Sequence, residues 1–269
     1  MNNLSSIPYF LPEFSIIIIA LSVLVFDLVG LKKYIKLFSI IGFSFIGLLL
    51  LQSSSSGVFI FENMLVNDSL SYYFKWIILI STFSIFLVSN YSKELDDEYY
   101  SEYNFLLMVI LLGMFLMTNS IDLLMIYLSV ELVSIPSYIL AGIIKNDRKS
   151  NEASLKYVIF GSFASGLMLF GISWLYGISG TTNIYEIHQS ILLVDNPYML
   201  FMSIVLILIG FGYKISMAPM HYWTPDVYEG SPTAVTAFFS IAPKAAGFAI
   251  LIRTFFTLFS IDGNINISS

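Results

Sequence analysis

The chain has 269 residues, 12 of them Lys or Arg and 18 Asp or Glu, for a net charge of −6; 57% are apolar and only 11% are charged. Soluble domains carry about a quarter charged residues, so the composition excludes an ordinary soluble enzyme, a disordered chain and a collagen-like repeat. With no cysteine and two histidines, His188 and His221, it also excludes a disulfide framework, an iron–sulfur cluster and a histidine-rich zinc or haem site, and no basic run suggests nucleic acid.

In chain order, apolar runs near the ~20 residues needed to span a bilayer predict an all-α, polytopic membrane helical bundle of about eight helices. They cover Leu11–Gly30, Leu37–Gln52, Leu70–Asn90, Phe105–Thr118, Leu123–Ile143, Ser154–Gly177, Tyr198–Pro219 and Thr233–Phe259. The second and fourth are short, so their ends are expected to reach into the flanking polar residues. The first is read as a retained helix, not a signal peptide, because its basic cluster (Lys32, Lys33, Lys36) follows the apolar run. Loops after spans one, three and five hold Lys32, Lys33, Lys36, Lys93, Lys145, Arg148 and Lys149, whereas those after spans two, four and six hold no Lys or Arg. Positive charge marks the inner side, which puts the N-terminus outside and, after eight spans, the C-terminus outside too. The acidic stretch Glu94, Asp96, Asp97 and Glu98 reads as a solvated loop face, and Ser53–Ser56 as a turn. No loop is long enough to build a domain outside the membrane.

The informative residues are ionisable groups inside the apolar runs, where a charge is costly and rare. Lys75, Glu131, Lys156, Lys214 and Lys244 stand out. Asp27 and Arg253 lie nearer span ends and are expected to snorkel. For Lys75 and Lys156, each within two turns of a predicted helix end, snorkelling and a functional role both stand. Glu131, Lys214 and Lys244 lie beside Pro136, Pro219 and Pro243. A proline inside a helix leaves the carbonyl four residues earlier without its donor; here those belong to Leu132, Ile215 and Phe239. Exposed backbone at membrane depth is tolerated only inside protein or along a wet cavity. Gly210 and Gly212 weaken the seventh span further, so a broken helix carrying Lys214 is expected around 210–220. A buried lysine near a carboxylate can load and release a proton when the carboxylate moves or is neutralised. Glu131, Lys214 and Lys244 thus read as a proton relay, with buried ion pairs that fix helix packing as the alternative.

The segment from His221 to Thr233 fits no common metal-ligand spacing, so a turn and capping role is expected for His221. Ser231 and Thr233 are candidate caps for the last span, with Pro232 near its first turn. His188 reads as a solvated side chain. The sequence contains no dinucleotide fingerprint, haem ligand pair or Walker loop, so no bound NADH, flavin, metal or other cofactor is expected.

Three blocks carry a family resemblance: Glu131–Gly142 (ELVSIPSYILAG), Glu152–Asn183, and Gly210–Ala249, which holds HYWTPDVYEGSPT. They resemble the antiporter-like subunits of respiratory complex I, the proton-translocating NADH:quinone oxidoreductase, and most closely the mitochondrial subunit-two type, called subunit N in bacteria. The resemblance implies three leading helices (1–104), the first five-helix antiporter-like repeat (105–259) and a polar tail (260–269). It implies a proton-relaying subunit with no redox centre of its own, in a bacterial plasma membrane or mitochondrial inner membrane, while other subunits pass electrons from NADH to quinone. By resemblance, Glu131 is the glutamate that tunes the neighbouring lysine, Lys214 the broken-helix lysine and Lys244 the central lysine of the eighth span. Lys156 matches a lysine of less settled role. Implied partners are a neighbouring antiporter-like subunit, small membrane-arm subunits and the lipid bilayer. The family pattern continues into a second, inverted five-helix repeat, whereas this sequence stops at Ser269. A separate chain supplying that repeat, or an incomplete sequence, is expected. The other readings are a subunit of a multisubunit cation/proton antiporter or membrane-bound hydrogenase, and a non-pumping scaffold.

Overall fold

The computed structural model describes residues 3–53, 57–92, 94, 99–191 and 197–259, with the side chains of Asn3 and Leu4 left out. Lys93, Asp96, Asp97, Glu98, Ser54–Ser56 and the tail 260–269 lie outside the described residues. A short helix, α1 (Asn3–Ser6), and a 3-10 turn (Ile7–Phe10) lead into α2 (Leu11–Leu28), α3 (Lys32–Gln52), α4 (Ser69–Ser89), α5 (Tyr100–Asn119) and α6 (Leu123–Ala141). Then follow α7 (Arg148–Ser179), the short α8 (Ile184–Ile191), α9 (Pro197–Ile215), the short α10 (Thr224–Gly230) and α11 (Thr233–Phe259). Among the described residues, eight helices are long and apolar enough to cross a membrane, as expected. The two short spans do lengthen into polar residues, to Lys32 and to Tyr100.

Helix starts are set by acidic caps that take up the free N–H groups of a first turn. Asp68 and Ser71 form a reciprocal capping box at α4, Asp122 accepts from the N–H groups of Leu124 and Met125 at α6, and Asp147 accepts from Lys149 at α7. At α11, Ser231 does not cap and its hydroxyl has no protein partner. The Glu94 carboxylate caps instead, accepting from the Thr233 N–H at 2.6 Å and the Thr233 hydroxyl at 2.8 Å. Glu94 is therefore more than a solvated loop residue: it ties the α4–α5 connection to α11.

The bundle has two halves. In one, α2 packs on α3 and α5, and α4 on α5; in the other, α7 packs on α6 and α9, and α9 on α11. The contacts of α5 with α6, and of α11 with α4, join them. Most of α5 is buried, and it is apolar nearly all round, as a helix enclosed by others must be. Elsewhere large apolar side chains such as Ile18, Leu28, Leu48, Phe163 and Phe201 face outward, the surface that lipid covers.

The two ends of the bundle differ. One carries Lys32, Lys33, Lys36, Lys145 and Lys149 at or beside helix ends. The other is closed by an unanticipated hairpin, β1 (Val58–Ile60) paired antiparallel with β2 (Leu65–Asn67). Leu65 bridges Ser120, and Asp122 bridges Asn183. Ile121 donates its N–H to the Met64 carbonyl at 3.1 Å and accepts from the Ile184 N–H at 3.0 Å.

Candidate functional site

α6 and α9 place Glu131 and Lys214. On α6, Ser134 lies one turn beyond Glu131, on the same face. Lys214, only 5% exposed, donates from Nζ to Ser134 Oγ at 3.0 Å, and Ser134 Oγ donates on to the Val130 carbonyl at 2.7 Å. Glu131 is half-buried, and its Oε1 has no protein hydrogen-bond partner. Among the described residues, the ion pairs within 4.0 Å do not include Glu131 with Lys214. Ser134, one turn from Glu131, is thus the hydrogen-bond partner of Lys214, a contact that sequence reasoning missed. The available signal was its three-residue spacing from Glu131. Pro136 sits inside α6, and the Ser137 hydroxyl donates to the Val133 carbonyl at 2.6 Å beside the gap that the proline opens.

The break in the seventh span differs from the expectation in one respect. α9 stops at Ile215, so Pro219 follows the helix and does not interrupt it. The chain turns at Ser216 (φ 58°), passes a cis Ala218–Pro219 bond and becomes helical again at Thr224. The carbonyls freed at the end of α9 find new donors: the Met217 N–H reaches Gly212 O at 2.8 Å, and Trp223 Nε1 reaches Tyr213 O at 3.1 Å. Trp223 stacks on Tyr157 of α7 with ring centres 4.5 Å apart, and Tyr213 donates its hydroxyl to the Tyr157 carbonyl at 3.1 Å. This aromatic cluster holds the broken segment against α7. Gly210 lies within α9 where a Cβ would stand 2.6 Å from the Met168 side chain, so only glycine allows α7 and α9 to lie this close.

Lys244 follows Pro243 inside α11 and is half-buried, with Nζ 5.4 Å from the centre of the Tyr228 ring of α10. One turn later, a Cβ on Gly247 would meet Ile215 at 2.5 Å and the Lys214 stem at 3.7 Å. Gly247 therefore fixes how closely the Lys244 helix approaches Lys214. Burial raises the phenol of Tyr228 to about 12, so it remains a neutral neighbour to Lys244 at any physiological pH.

Lys156 lies apart from this group. It sits two turns into α7, partly exposed, bonded to Asp226 at 2.7 Å and Glu152 at 2.8 Å. His221 is exposed in the turn before α10, where its carbonyl accepts from the Thr224 N–H. His188 is not merely solvated: on α8, its Nδ1 lies 2.9 Å from the Leu258 carbonyl near the end of α11.

Two other buried charges overturn the snorkelling reading. Lys75 is 2% exposed and pairs at 2.6 Å with Glu13, which is 0% exposed. Arg253 is also fully buried: NH1 and NH2 bind the two Asp68 oxygens at 2.8 and 2.7 Å, and Nε reaches Thr118 O at 2.9 Å. Asp27 pairs with Lys32 at 3.3 Å, with both partly exposed, as expected of a span end. Among the described residues, no group of three or more His, Cys, Asp or Glu side chains is placed to hold a metal.

Comparison with known proteins identifies the family of the chain. Residues 120–268 match the family described as NADH:quinone oxidoreductase/Mrp antiporter, TM. The chain is 41% identical to NADH-quinone oxidoreductase subunit N of Anaeromyxobacter sp. (strain Fw109-5), over 94% of this chain and 52% of that protein. It is 42% identical to NADH-quinone oxidoreductase subunit N 2 of Sorangium cellulosum (strain So ce56), over 95% of this chain and 54% of that protein. It thus spans about half the length of the curated relatives it matches. Among solved structures, a chain of respiratory complex I from Thermus thermophilus with bound aureothin superposes with a TM-score of 0.74 at 26% identity, covering 90% of this chain and 52% of that one. A chain of an archaeal membrane-bound sulfane sulfur reductase shares the fold, with a TM-score of 0.81 at 23% identity, covering 94% and 53%.

Proposed function

Because the chain belongs to the NADH:quinone oxidoreductase/Mrp antiporter membrane-subunit family, we propose that it is a proton-relaying membrane-arm subunit of an NADH:quinone oxidoreductase. In this reading Glu131, Lys214 and Lys244 carry the proton. The observation that bears most weight is the seating of Lys214: a buried ammonium held by one neutral hydroxyl, Ser134, with a carboxylate one turn away on the same helix. Buried charges made only for packing are normally paired directly. A lysine bonded to a hydroxyl instead can give up its proton without leaving a bare carboxylate in contact with it. The aromatic clamp around Trp223 keeps the broken end of α9 in place while charge at Lys214 changes. Gly247 keeps α11, and so Lys244, close by.

Electron transfer belongs to other subunits in this proposal, and this chain serves as a translocase component without a redox centre. Its partners are a neighbouring antiporter-like subunit and small membrane-arm subunits, with a further chain or chain segment supplying the second five-helix repeat. The lysine-bearing end faces the cytoplasm or matrix and the N-terminus faces outward. The relatives of about 40% identity are subunits N, which favours this assignment over a cation/proton antiporter or hydrogenase subunit.

Lys214→Met and Lys244→Met, each introduced into the assembled complex, test the relay by proton pumping driven by NADH. Each is expected to lower pumping strongly while assembly is kept. Unchanged pumping in both, with intact assembly, would leave the chain a scaffold.

A further inference from the structure

The Glu13–Lys75 pair has no part in the relay above, and it sits in surroundings unlike those of a packing bridge. Glu13 Oε1 accepts from Lys75 Nζ at 2.6 Å and from Asn119 Nδ2 at 3.4 Å. Its other oxygen, Oε2, is buried with no protein partner. Lys75 also lies over the Phe115 ring, 5.6 Å from its centre. Three elements meet here: α2 supplies Glu13, α4 Lys75, and α5 both Phe115 and Asn119.

The pair stands on a longer polar seam. Ser71, Lys75, Thr82 and Ser89 are all buried, and their spacings of four, seven and seven residues place them along one face of α4. Thr82 Oγ1 has no protein partner. Toward the lysine-bearing end, the seam continues into α5, where Tyr103 faces Ser89 and Asn104 is fully buried. Asn104 Oδ1 and Ser101 Oγ likewise have no protein partner. Buried polar atoms of this kind are normally satisfied by internal water. Here they recur at the lysine-bearing end of α5, at Thr82 in the middle of α4 and at the free oxygen of Glu13.

We propose that Glu13 and Lys75 form a second proton-exchange site, separate from Glu131, Lys214 and Lys244, at the end of a hydrated seam between α2, α4 and α5. A proton arriving along the seam binds Glu13 Oε2 and neutralises the carboxylate. The Lys75 ammonium, having lost its counter-charge, releases a proton to water at the hairpin-bearing end of the bundle, where α4 begins. The carboxyl proton then passes within the pair to the Lys75 amine and restores the ion pair, so one proton enters and one leaves per cycle. This site rests on the proton-translocating reading of the chain, yet it is distinguishable from the relay. A bridge used only for packing can be replaced by apolar residues of similar volume without loss, whereas an exchange site cannot.

The test compares Glu13→Gln and the double variant Glu13→Leu/Lys75→Met with Lys214→Met in the assembled complex, reading protons moved per electron. Both Glu13 variants are expected to lower that ratio with the chain present at normal abundance. A wild-type ratio in the double variant, alongside a loss in Lys214→Met, overturns the second site and leaves the relay standing. If Lys214→Met also has no effect, the relay itself fails. Infrared spectroscopy of the purified chain in liposomes, titrated with pH, gives an independent reading that needs no pumping and holds even if the double variant fails to assemble. A protonated-carboxyl band that shifts in heavy water and vanishes in Glu13→Gln supports the site. Its absence from the wild-type chain at every pH overturns it.

Discussion

At the scale of single residues, buried charges fall into groups with different surroundings. The Arg253–Asp68 pair is fully bonded, with a bidentate contact and a backbone carbonyl on the remaining guanidinium nitrogen. Burial works against ionised Asp68, but the hydrogen bonds and charge of Arg253, with help from Ser71, outweigh it and hold the carboxyl below its ordinary 3.8. A carboxyl lowered in the folded state contributes stability above its unfolded value and loses it as pH falls through the folded one. Thermal unfolding in detergent is thus expected to show stability falling with acid below about pH 4, and Asp68→Asn should flatten that part of the curve. The same variant strands Arg253, at a cost of roughly 3–5 kcal/mol at neutral pH. Arg253 was also the residue that sequence alone misjudged, and for Lys75 it left snorkelling and a functional role both open. Each lies within reach of a helix end along the chain, but its partner is remote: 185 residues away for Arg253. Distance from a helix end says nothing about which neighbours cover it.

Among elements, α11 shows what a sequence can and cannot convey. Its limits, Thr233–Phe259, match the expected span, because hydropathy sets where a membrane helix begins and ends. Its cap does not match, because Glu94 comes from another connection. α9 differs likewise: its weak point was legible from Gly210, Gly212 and Pro219, but the actual stop at Ile215 depends on Trp223 and Met217 claiming the freed carbonyls. The group on Glu131, Lys214 and Lys244 was chosen from proline placement, whereas Ser134 and Gly247 emerged only when helices were packed together. Gly247 gives the element-scale prediction. Gly247→Val should push α11 away from Ile215, costing ~1–3 kcal/mol as overpacking does. The reading is a lower unfolding temperature together with weaker pumping, since the Lys214 stem adjoins the same site. No such loss would show that α11 can shift freely.

For the whole molecule, the lack of cysteine is an experimental opening. Single cysteines can be introduced with no background, so orientation can be read by a membrane-impermeant maleimide. Lys145→Cys, at the lysine-bearing end, is expected to react only when the inner side is accessible, and Asn63→Cys, in the hairpin turn, only from outside. The reverse pattern would invert the proposed orientation and with it the direction assigned to proton uptake. The two-part bundle also explains why the leading helices carried the weakest sequence signal. They are recognised by apolar length alone, whereas α6 to α11 carry the prolines, glycines and aromatic clamp that mark a particular geometry.

The closed rim bears on how the chain is made. Its bonds join residues 58–67, 120–123 and 182–184, three stretches that leave the ribosome far apart in time. The hairpin can pair early, but the link from Met64 to Ile121 waits for α5, and the link from Ile121 to Ile184 waits until α7 has crossed the bilayer. Until then, the ends of the five preceding crossings on this side lack that link. The rim can therefore close only once the chain through Ile184 has been made, after the sixth crossing.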